Sequence, residues 1–248
     1  LLEGMEVEGV YEVRPEPSGL NRNIQQCLVD FGIGLHLSTT VTEVHGARRV
    51  EAVTVAEVDS RGQARQGTER LVPCDTLILS VGLIPENEVA ASIGLGLDPA
   101  TKGPRVDQGG ASEIPGVYVC GNALHVNDLV DYVSESGELA GKGAAAFALA
   151  LAQGRPPPGR SLIPLKAGPG FLYALPQVLD LAAPGPALLW FRSNSTLKDG
   201  ATVRLRAGEA ILLERRYSAL RPPEMERLEL DLQAVPPGTA SLVLEFER

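Results

Sequence analysis

A short apolar segment that ends in a glycine and an amide is the part of the sequence best suited to chemistry. Residues 117–120 are followed directly by Gly121 and Asn122. Their β-prone composition and length predict a buried strand, and a glycine after it allows the backbone to approach a ligand closely. Asn122 would place an amide at the carboxyl end of that strand, where open α/β sheets bind ligands. The pattern predicts a ligand site, although a strand and turn without a ligand would give the same residues.

The elements on either side would position this site. A turn at Pro115 and Gly116 precedes the predicted strand, and small residues dominate the predicted helix over 134–146. A helix with alanine and glycine over much of its surface can pack very close to a flat group. A second apolar segment, residues 76–81, also ends in a glycine, Gly82. The chain thus carries the same strand-and-glycine pattern twice.

Together these segments resemble the flavin signatures of the two-dinucleotide-domain flavoprotein oxidoreductases, the glutathione reductase-like superfamily. In the first signature Asp75 precedes the strand, Gly82 ends it near the flavin, and Pro85 fixes the turn. In the second, an acidic residue after the glycine contacts the ribityl chain, and the next helix points its amino end at the flavin ring. Asn122 departs from the acidic residue, although its amide can still hydrogen-bond a hydroxyl. The resemblance implies flavin contacts by the residues of both signatures and the helix start, namely Gly82, Gly121, Asn122, Leu129 and Val130.

The loop before the helix carries the polar residues that look most functional. If the resemblance holds, His125 faces the pyrimidine edge of the flavin, where it could act as a proton relay. Asp128 or Asp131 could instead cap the helix, as acidic residues at that position commonly do. No catalytic residue is assigned, and Cys120 is interpreted as a buried apolar thiol.

The amino-terminal part resembles a nicotinamide-binding unit without its phosphate loop. No Gly-x-Gly-x-x-Gly occurs in the sequence, whereas the superfamily needs one such loop for FAD and one for the nicotinamide cofactor. We therefore expect this chain to be the carboxyl-terminal portion of a longer protein, which binds FAD and NAD when intact. Residues 5–13 predict a strand, and Glu12 at its end would accept hydrogen bonds from the ribose hydroxyls of NAD. A solvent-facing glutamate is the alternative.

Periodicity predicts the elements that follow this strand. Residues 20–31 have apolar residues at helical spacing, with Cys27 on the apolar face and Gly32 as the stop. A strand and then a hairpin are predicted for residues 33–44, 49–59 and 69–73. These elements fit the β-meander that the superfamily has between its nucleotide-binding sheets.

The composition changes after residues 156–158, three prolines that predict a stiff linker. Beyond them, short alternating segments predict an antiparallel sandwich, with strands at residues 187–192, 201–206, 209–216, 227–232 and 241–246. The sequence after this linker has no histidine or cysteine, and we interpret it as an interaction or dimerisation module. The predicted fold class is α/β, a partial two-dinucleotide-binding-domain flavoprotein fold followed by a carboxyl-terminal antiparallel β domain. The predicted domains are a partial nicotinamide-binding domain, part of the FAD-binding domain and the sandwich, at residues 1–75, 76–153 and 161–248.

Charge and composition narrow the classes of function. With 22 basic and 31 acidic residues, the chain lacks the basic cluster that nucleic-acid phosphates require. No apolar run approaches the roughly 18 residues of a membrane span, and three cysteines without a Cys-x-x-Cys pair predict a cytoplasmic protein without a metal site. The leading hypothesis is an FAD-dependent, NAD(P)-linked oxidoreductase with an unidentified substrate. The alternative is a non-catalytic truncated or accessory subunit, which would act as an interaction module in a homodimer or with a partner oxidoreductase subunit.

Overall fold

The computed structural model describes residues 3–156, 159–183 and 185–247. It divides into two compact units, Leu1–Gly82 and Leu83–Arg248. The predicted linker prolines Pro157 and Pro158 lie outside the described residues. The division into three domains stays a prediction.

The first unit begins with a small β–α–β arrangement. Strand β1 pairs in parallel with β2, with Val10 opposite Leu35, and a helix connects the two. Strands β3, β4 and β5 form an antiparallel sheet in that order, which confirms the predicted meander. The elements are β1 (Val10–Tyr11), α1 (α-helical over Asn21–Asn23 and π-helical over Ile24–Val29), β2 (Leu35–His36), β3 (Thr39–His45), β4 (Ala52–Glu57) and β5 (Arg70–Pro73).

Two predictions for the first unit are wrong. Helix α1 contains no buried residue, and Cys27 is exposed rather than part of a core, because β1 and β2 are too short to form a sheet that covers a helix face. Residues 76–81 form no strand, and Ile78 and Val81 are 83% and 88% exposed. A strand needs a neighbour to satisfy its backbone groups, and in the described part of the chain no segment pairs with this one.

The first part of the second unit is built around one long helix. It contains α2 (Glu88–Ser92), a 3-10 turn (Gly121–Ala123) and α3 (Val130–Ala152), so the predicted helix is present and longer than predicted. The predicted strand over residues 117–120 is reduced to a single bridge between Tyr118 and Ala111. Helix α3 packs directly on this segment, because an added Cβ at Gly143 would lie only 2.7 Å from Tyr118 Cε1.

The rest of the second unit is a β domain of two sheets. Its strands are β6 (Leu162–Ala167), β7 (Phe171–Leu175), β8 (Val178–Asp180), β9 (Pro186–Ser193), β10 (Ala201–Ala207), β11 (Ala210–Tyr217), β12 (Glu226–Asp231) and β13 (Leu242–Phe246). One sheet has the order β11-β10-β13-β6-β8 and the other the order β12-β9-β7. Side chains such as Phe191, Leu205 and Leu244, each at most 1% exposed, form the core.

All five predicted strands of the β domain are present, but the sandwich is not wholly antiparallel. Strand β13 pairs with β6 in parallel, with Leu242 opposite Leu165. Parallel strands need a long crossover connection, and the strands between β6 and β13, several of them in the other sheet, provide it. Strands β6, β7 and β8 were not predicted. Within the described residues, no helix is both long and apolar enough to cross a membrane, and no group of three or more His, Cys, Asp or Glu residues is arranged to hold a metal ion.

Candidate functional site

The turn at Gly121 is held against the start of helix α3. Gly121 has φ +63, and its N–H donates to Ser136 Oγ at 3.0 Å. An added Cβ would lie 3.1 Å from Val133 Cγ1. A side chain at this position would therefore be strained by its backbone and crowded by the helix, which is a physical reason for glycine here.

Asn122 is exposed, and its side-chain carbonyl oxygen already accepts hydrogen bonds within the loop. Its Oδ1 accepts hydrogen bonds from the backbone N–H of Asn127 at 3.1 Å and from Asn127 Nδ2 at 3.3 Å. The amide N–H groups of Asn122 are therefore the donors that it can offer to a ligand hydroxyl. This arrangement suits a hydroxylated chain better than a cation.

Helix α3 begins without a side-chain cap. Leu129, the residue before the helix, is extended, with φ −130 and ψ 143, and makes no side-chain capping hydrogen bond. Val130 is 75% exposed. The first N–H groups of an α-helix have no partner within the helix and carry partial positive charge. The start of α3 can therefore bind a ligand oxygen or stabilise negative charge.

Asp128 does not cap helix α3, which was the alternative left open for Asp128 or Asp131. It forms an ion pair with Arg192 Nη2, and its Oδ2 accepts a hydrogen bond from Met225 N at 2.6 Å. Asp131 lies in the first turn of α3 but makes no capping bond either. Asp128 is instead bound by the β domain because a nearly buried carboxylate needs a charged partner.

His125 is buried, at 6% exposure, and its Nδ1 lies 3.4 Å from Tyr173 Oη. Burial, reinforced by the charge of Arg192, lowers the pKa of His125 to about 4. A proton relay works best with a pKa near the working pH. A pKa of about 4 and burial of the ring are both unfavourable for the suggested relay.

A small cavity lies beside this loop. It has a volume of about 50 Å³, and His125, Asn127, Tyr132 and Trp190 are among its lining residues. Pockets for drug-sized ligands have volumes of roughly 300 Å³ or more. This cavity is therefore smaller than such a pocket, whereas Asn122 and Val130 are exposed on the loop.

The remaining predicted site residues, Glu12 and Gly82, lie in the first unit. Glu12 directly follows β1, and its carboxylate accepts hydrogen bonds from Arg14 N at 2.9 Å, from Ser18 N at 3.3 Å and from Ser18 Oγ. Burial opposes ionisation, but the bonds from Ser18 and Arg14 outweigh it and lower the pKa of Glu12. Gly82 has φ +91, and an added Cβ there would contact nothing within 4 Å. The hydrogen bonds thus favour the ionised form of Glu12, and the structure shows only a backbone reason for glycine at position 82.

Arg192 and Tyr173 are the residues of this site that the sequence predictions missed. Both come from the β domain, whose sequence shows no catalytic pattern. A signal was present in β9, since Leu188 and Trp190 are apolar and alternate with core residues, which indicates a strand covered on both faces. Arg192 continues the Leu188 and Trp190 face, so it was a candidate for a buried charge.

Comparison with known proteins gives a family match over more than half of the chain. Residues 6–152 match the family model described as "Pyridine nucleotide-disulphide oxidoreductase". No match was found among curated proteins.

Similar solved structures include Mycobacterium tuberculosis FprA in complex with NADPH, with 18% identity and a TM-score of 0.33, covering 49% of this chain and 28% of that chain. Another is HlmI, with 16% identity and a TM-score of 0.32, covering 61% of this chain and 51% of that chain. The chain thus spans little more than a quarter of the length of FprA and about half of that of HlmI.

Proposed function

Because the chain belongs to the pyridine nucleotide-disulphide oxidoreductase family, we propose that it forms the flavin-facing part of an FAD-dependent, NAD(P)-linked oxidoreductase. The observation that carries this proposal is the uncapped start of the 23-residue helix α3 beside the positive-φ turn at Gly121. FAD, when bound, would supply electron transfer between the nicotinamide and the substrate.

The residues of the loop have separate tasks in this proposal. The Gly121 turn keeps the backbone compact where the cofactor approaches. Asn122 donates an amide hydrogen bond to a hydroxyl of the ribityl chain. The first turn of α3, from Leu129 and Val130, directs its N–H groups and the positive end of the helix dipole toward the flavin ring, where negative charge develops on reduction.

Glu12 would determine the preference between NAD and NADP. A carboxylate at the end of the strand accepts hydrogen bonds from ribose hydroxyls and repels the 2′-phosphate of NADP. The bonds from Arg14 and Ser18 favour the ionised form of Glu12, which supports a preference for NAD. We expect Glu12→Ala to narrow the difference between the dissociation constants of NAD and NADP, measured by ligand-observed NMR. Glu8→Ala, at an exposed position before β1, is the control, and equal behaviour of the two variants would contradict this role.

The flavin site is tested with the whole chain and two flavins. We expect the chain to purify without flavin, because no phosphate loop for the ADP half occurs in its sequence, yet to quench the fluorescence of added riboflavin and FAD. Asn122→Ala should weaken riboflavin binding by about three- to tenfold, the usual range for one hydrogen bond. Asn194→Ala, an exposed amide in the β domain, should leave it unchanged.

Two results would contradict the flavin site. One is an absence of riboflavin quenching at millimolar concentration, and the other is equal binding by the Asn122 and Asn194 variants. Either would favour the alternative in which this chain is a non-catalytic interaction module. Flavin retained in stoichiometric amount through purification would show that the expected need for the phosphate loop is wrong.

A further inference from the structure

We propose that Arg192, a residue of the β domain, is the positioning residue for the loop that faces the flavin. The proposal rests on the proposed function for its consequence, whereas the geometry that supports it stands without a cofactor. Through this contact the β domain would set the shape of the flavin site.

The guanidinium of Arg192 joins three parts of the second unit. Its Nε donates to Tyr173 Oη at 2.7 Å, which attaches it to strand β7. Its Nη1 donates to the carbonyls of Pro222 and Pro223, which lie before β12. Its Nη2 donates to Val126 O at 3.1 Å and to Asp128 Oδ1, both in the loop before α3. All three nitrogens are therefore engaged in a fixed planar fork that lysine cannot reproduce.

The ion pair at the centre of this contact is nearly closed to solvent. The side chains of Arg192 and Asp128 are 12% and 11% exposed. The second oxygen of Asp128 is bonded by Met225 N, so the carboxylate has partners on both sides. Removal of one member of such a pair leaves an uncompensated buried charge. The loop is thus held by an ion pair whose disruption, by removal of only one of the two residues, is strongly unfavourable.

The contact acts on both ends of the flavin-facing loop. Asp128 directly precedes Leu129, from which helix α3 begins. Val126, whose carbonyl is bonded by Arg192, precedes Asn127, whose amides bond Asn122 Oδ1. Arg192 therefore fixes the helix start on one side and the Asn122 amide on the other, although it contacts neither directly.

The test uses amide hydrogen exchange of the whole chain together with riboflavin binding. Arg192→Met should increase exchange across residues 121–131 by about tenfold or more, as expected for a loop that loses a network contact, while strands β9 and β10 keep their protection. Riboflavin affinity should fall by about tenfold, in the range of network couplings. Asp128→Asn should produce the same local pattern, and Arg192→Lys should restore part of the protection and of the affinity.

Arg204→Met is the matched control. Arg204 lies on β10 and is paired with Glu214 and Glu247, so it has an ion-pair network, more exposed than that of Arg192, without contact to the loop. We expect this variant to leave both exchange at 121–131 and riboflavin affinity unchanged. If Asp128→Asn has its full effect even in the Arg192→Met background, the two residues do not act together and the proposal is overturned.

The outcomes separate this proposal from the proposed function. If the unmodified chain binds no riboflavin, the proposed function fails, and the exchange data alone decide whether Arg192 positions the loop. If Arg192→Met loosens β9 and β10 as much as the loop, Arg192 is merely structural and the positioning role is wrong. If affinity falls while exchange at 121–131 stays the same, the role is also wrong. Should Arg192→Met not fold, Arg192→Lys and Asp128→Asn carry the same test.

Discussion

A single buried imidazole should make the stability of the second unit depend on pH. The pKa of His125 is lowered from 6.5 to about 4, by burial and by Arg192. Below pH 6.5 His125 is protonated in the unfolded chain, whereas in the folded chain it is protonated only below about pH 4. The free energy of unfolding therefore falls as the pH is lowered through this range. Above pH 6.5 the contribution is constant. The loss amounts to roughly 3 kcal/mol between the two pKa values.

Urea unfolding at pH 7, 6 and 5 measures this effect. The fluorescence of Trp190 is a suitable signal, because it is the only tryptophan of the chain and lies in the second unit. We expect the unfolding midpoint of the wild type to drop as the pH is lowered from 6.5, and His125→Asn to drop much less. His45→Asn, in the first unit, should behave like the wild type. Equal pH dependence of wild type and His125→Asn would contradict the assigned pKa.

For individual residues, the sequence predicted local backbone features better than the contacts that side chains make. Glycine at 121 follows from local backbone chemistry, and the structure gives it a positive φ. Capping of α3 by Asp128 or Asp131 was an alternative, because acids before helices commonly cap them, but the partner of Asp128 is Arg192, 64 residues later. A contact between residues so distant in sequence has no local signal, and the charge of Arg192 also adds to burial in lowering the pKa of His125.

Two glycines of helix α3 should respond in opposite directions to the same substitution. An added Cβ at Gly143 would lie 2.7 Å from Tyr118 Cε1 and 3.3 Å from Gly109 O, whereas at Gly141 it would contact nothing within 4 Å. We expect Gly141→Ala to stabilise the second unit by up to about 1 kcal/mol through helix propensity. Gly143→Ala should destabilise it by about 1–2 kcal/mol, because overpacking outweighs that gain.

Thermal unfolding followed by Trp190 fluorescence checks both variants. Gly137→Ala is a second control, since a Cβ there also meets open space. If Gly143→Ala raises the melting temperature as much as Gly141→Ala, helix α3 does not pack closely on the segment that contains Tyr118.

Among the elements, the sequence predicted those whose pattern is local. Helix α3 was predicted from its small residues, and strands such as β9 and β10 were predicted from their alternation; all three are present. The apolar segment at 76–81 has an equally clear pattern but forms no strand, because a strand also needs neighbours that periodicity does not reveal. Strand β8 was missed because Val178–Asp180 is only three residues long, too short to show alternation.

At the scale of the whole molecule, the β domain should survive separation from the rest of the second unit. The described members of its core cluster all lie between Ile163 and Phe246. We expect limited proteolysis with proteinase K to cut within residues 154–160 and to leave a folded carboxyl-terminal fragment. Far-ultraviolet circular dichroism of this fragment should be dominated by β structure.

Release of Arg192 from Asp128 in such a fragment should cost little, because the guanidinium becomes hydrated once the loop has left. A fragment that unfolds on purification, or that is helical, would show that the domain depends on the residues before the linker. First cleavage within the exposed segment 76–86 instead would show that the boundary between the two compact units is the weaker point of the chain.

The position of β13 has a consequence for synthesis on the ribosome. This strand is the last in the described chain, yet it lies between β10 and β6 in the middle of the five-stranded sheet. Until it emerges, β10 and β6 each present an open edge, and open edges invite pairing with other chains. The five-stranded sheet of the nascent β domain therefore cannot be completed until nearly all of the domain has been synthesised. We expect chaperone occupancy to persist until residues 242–246 have left the ribosomal exit tunnel.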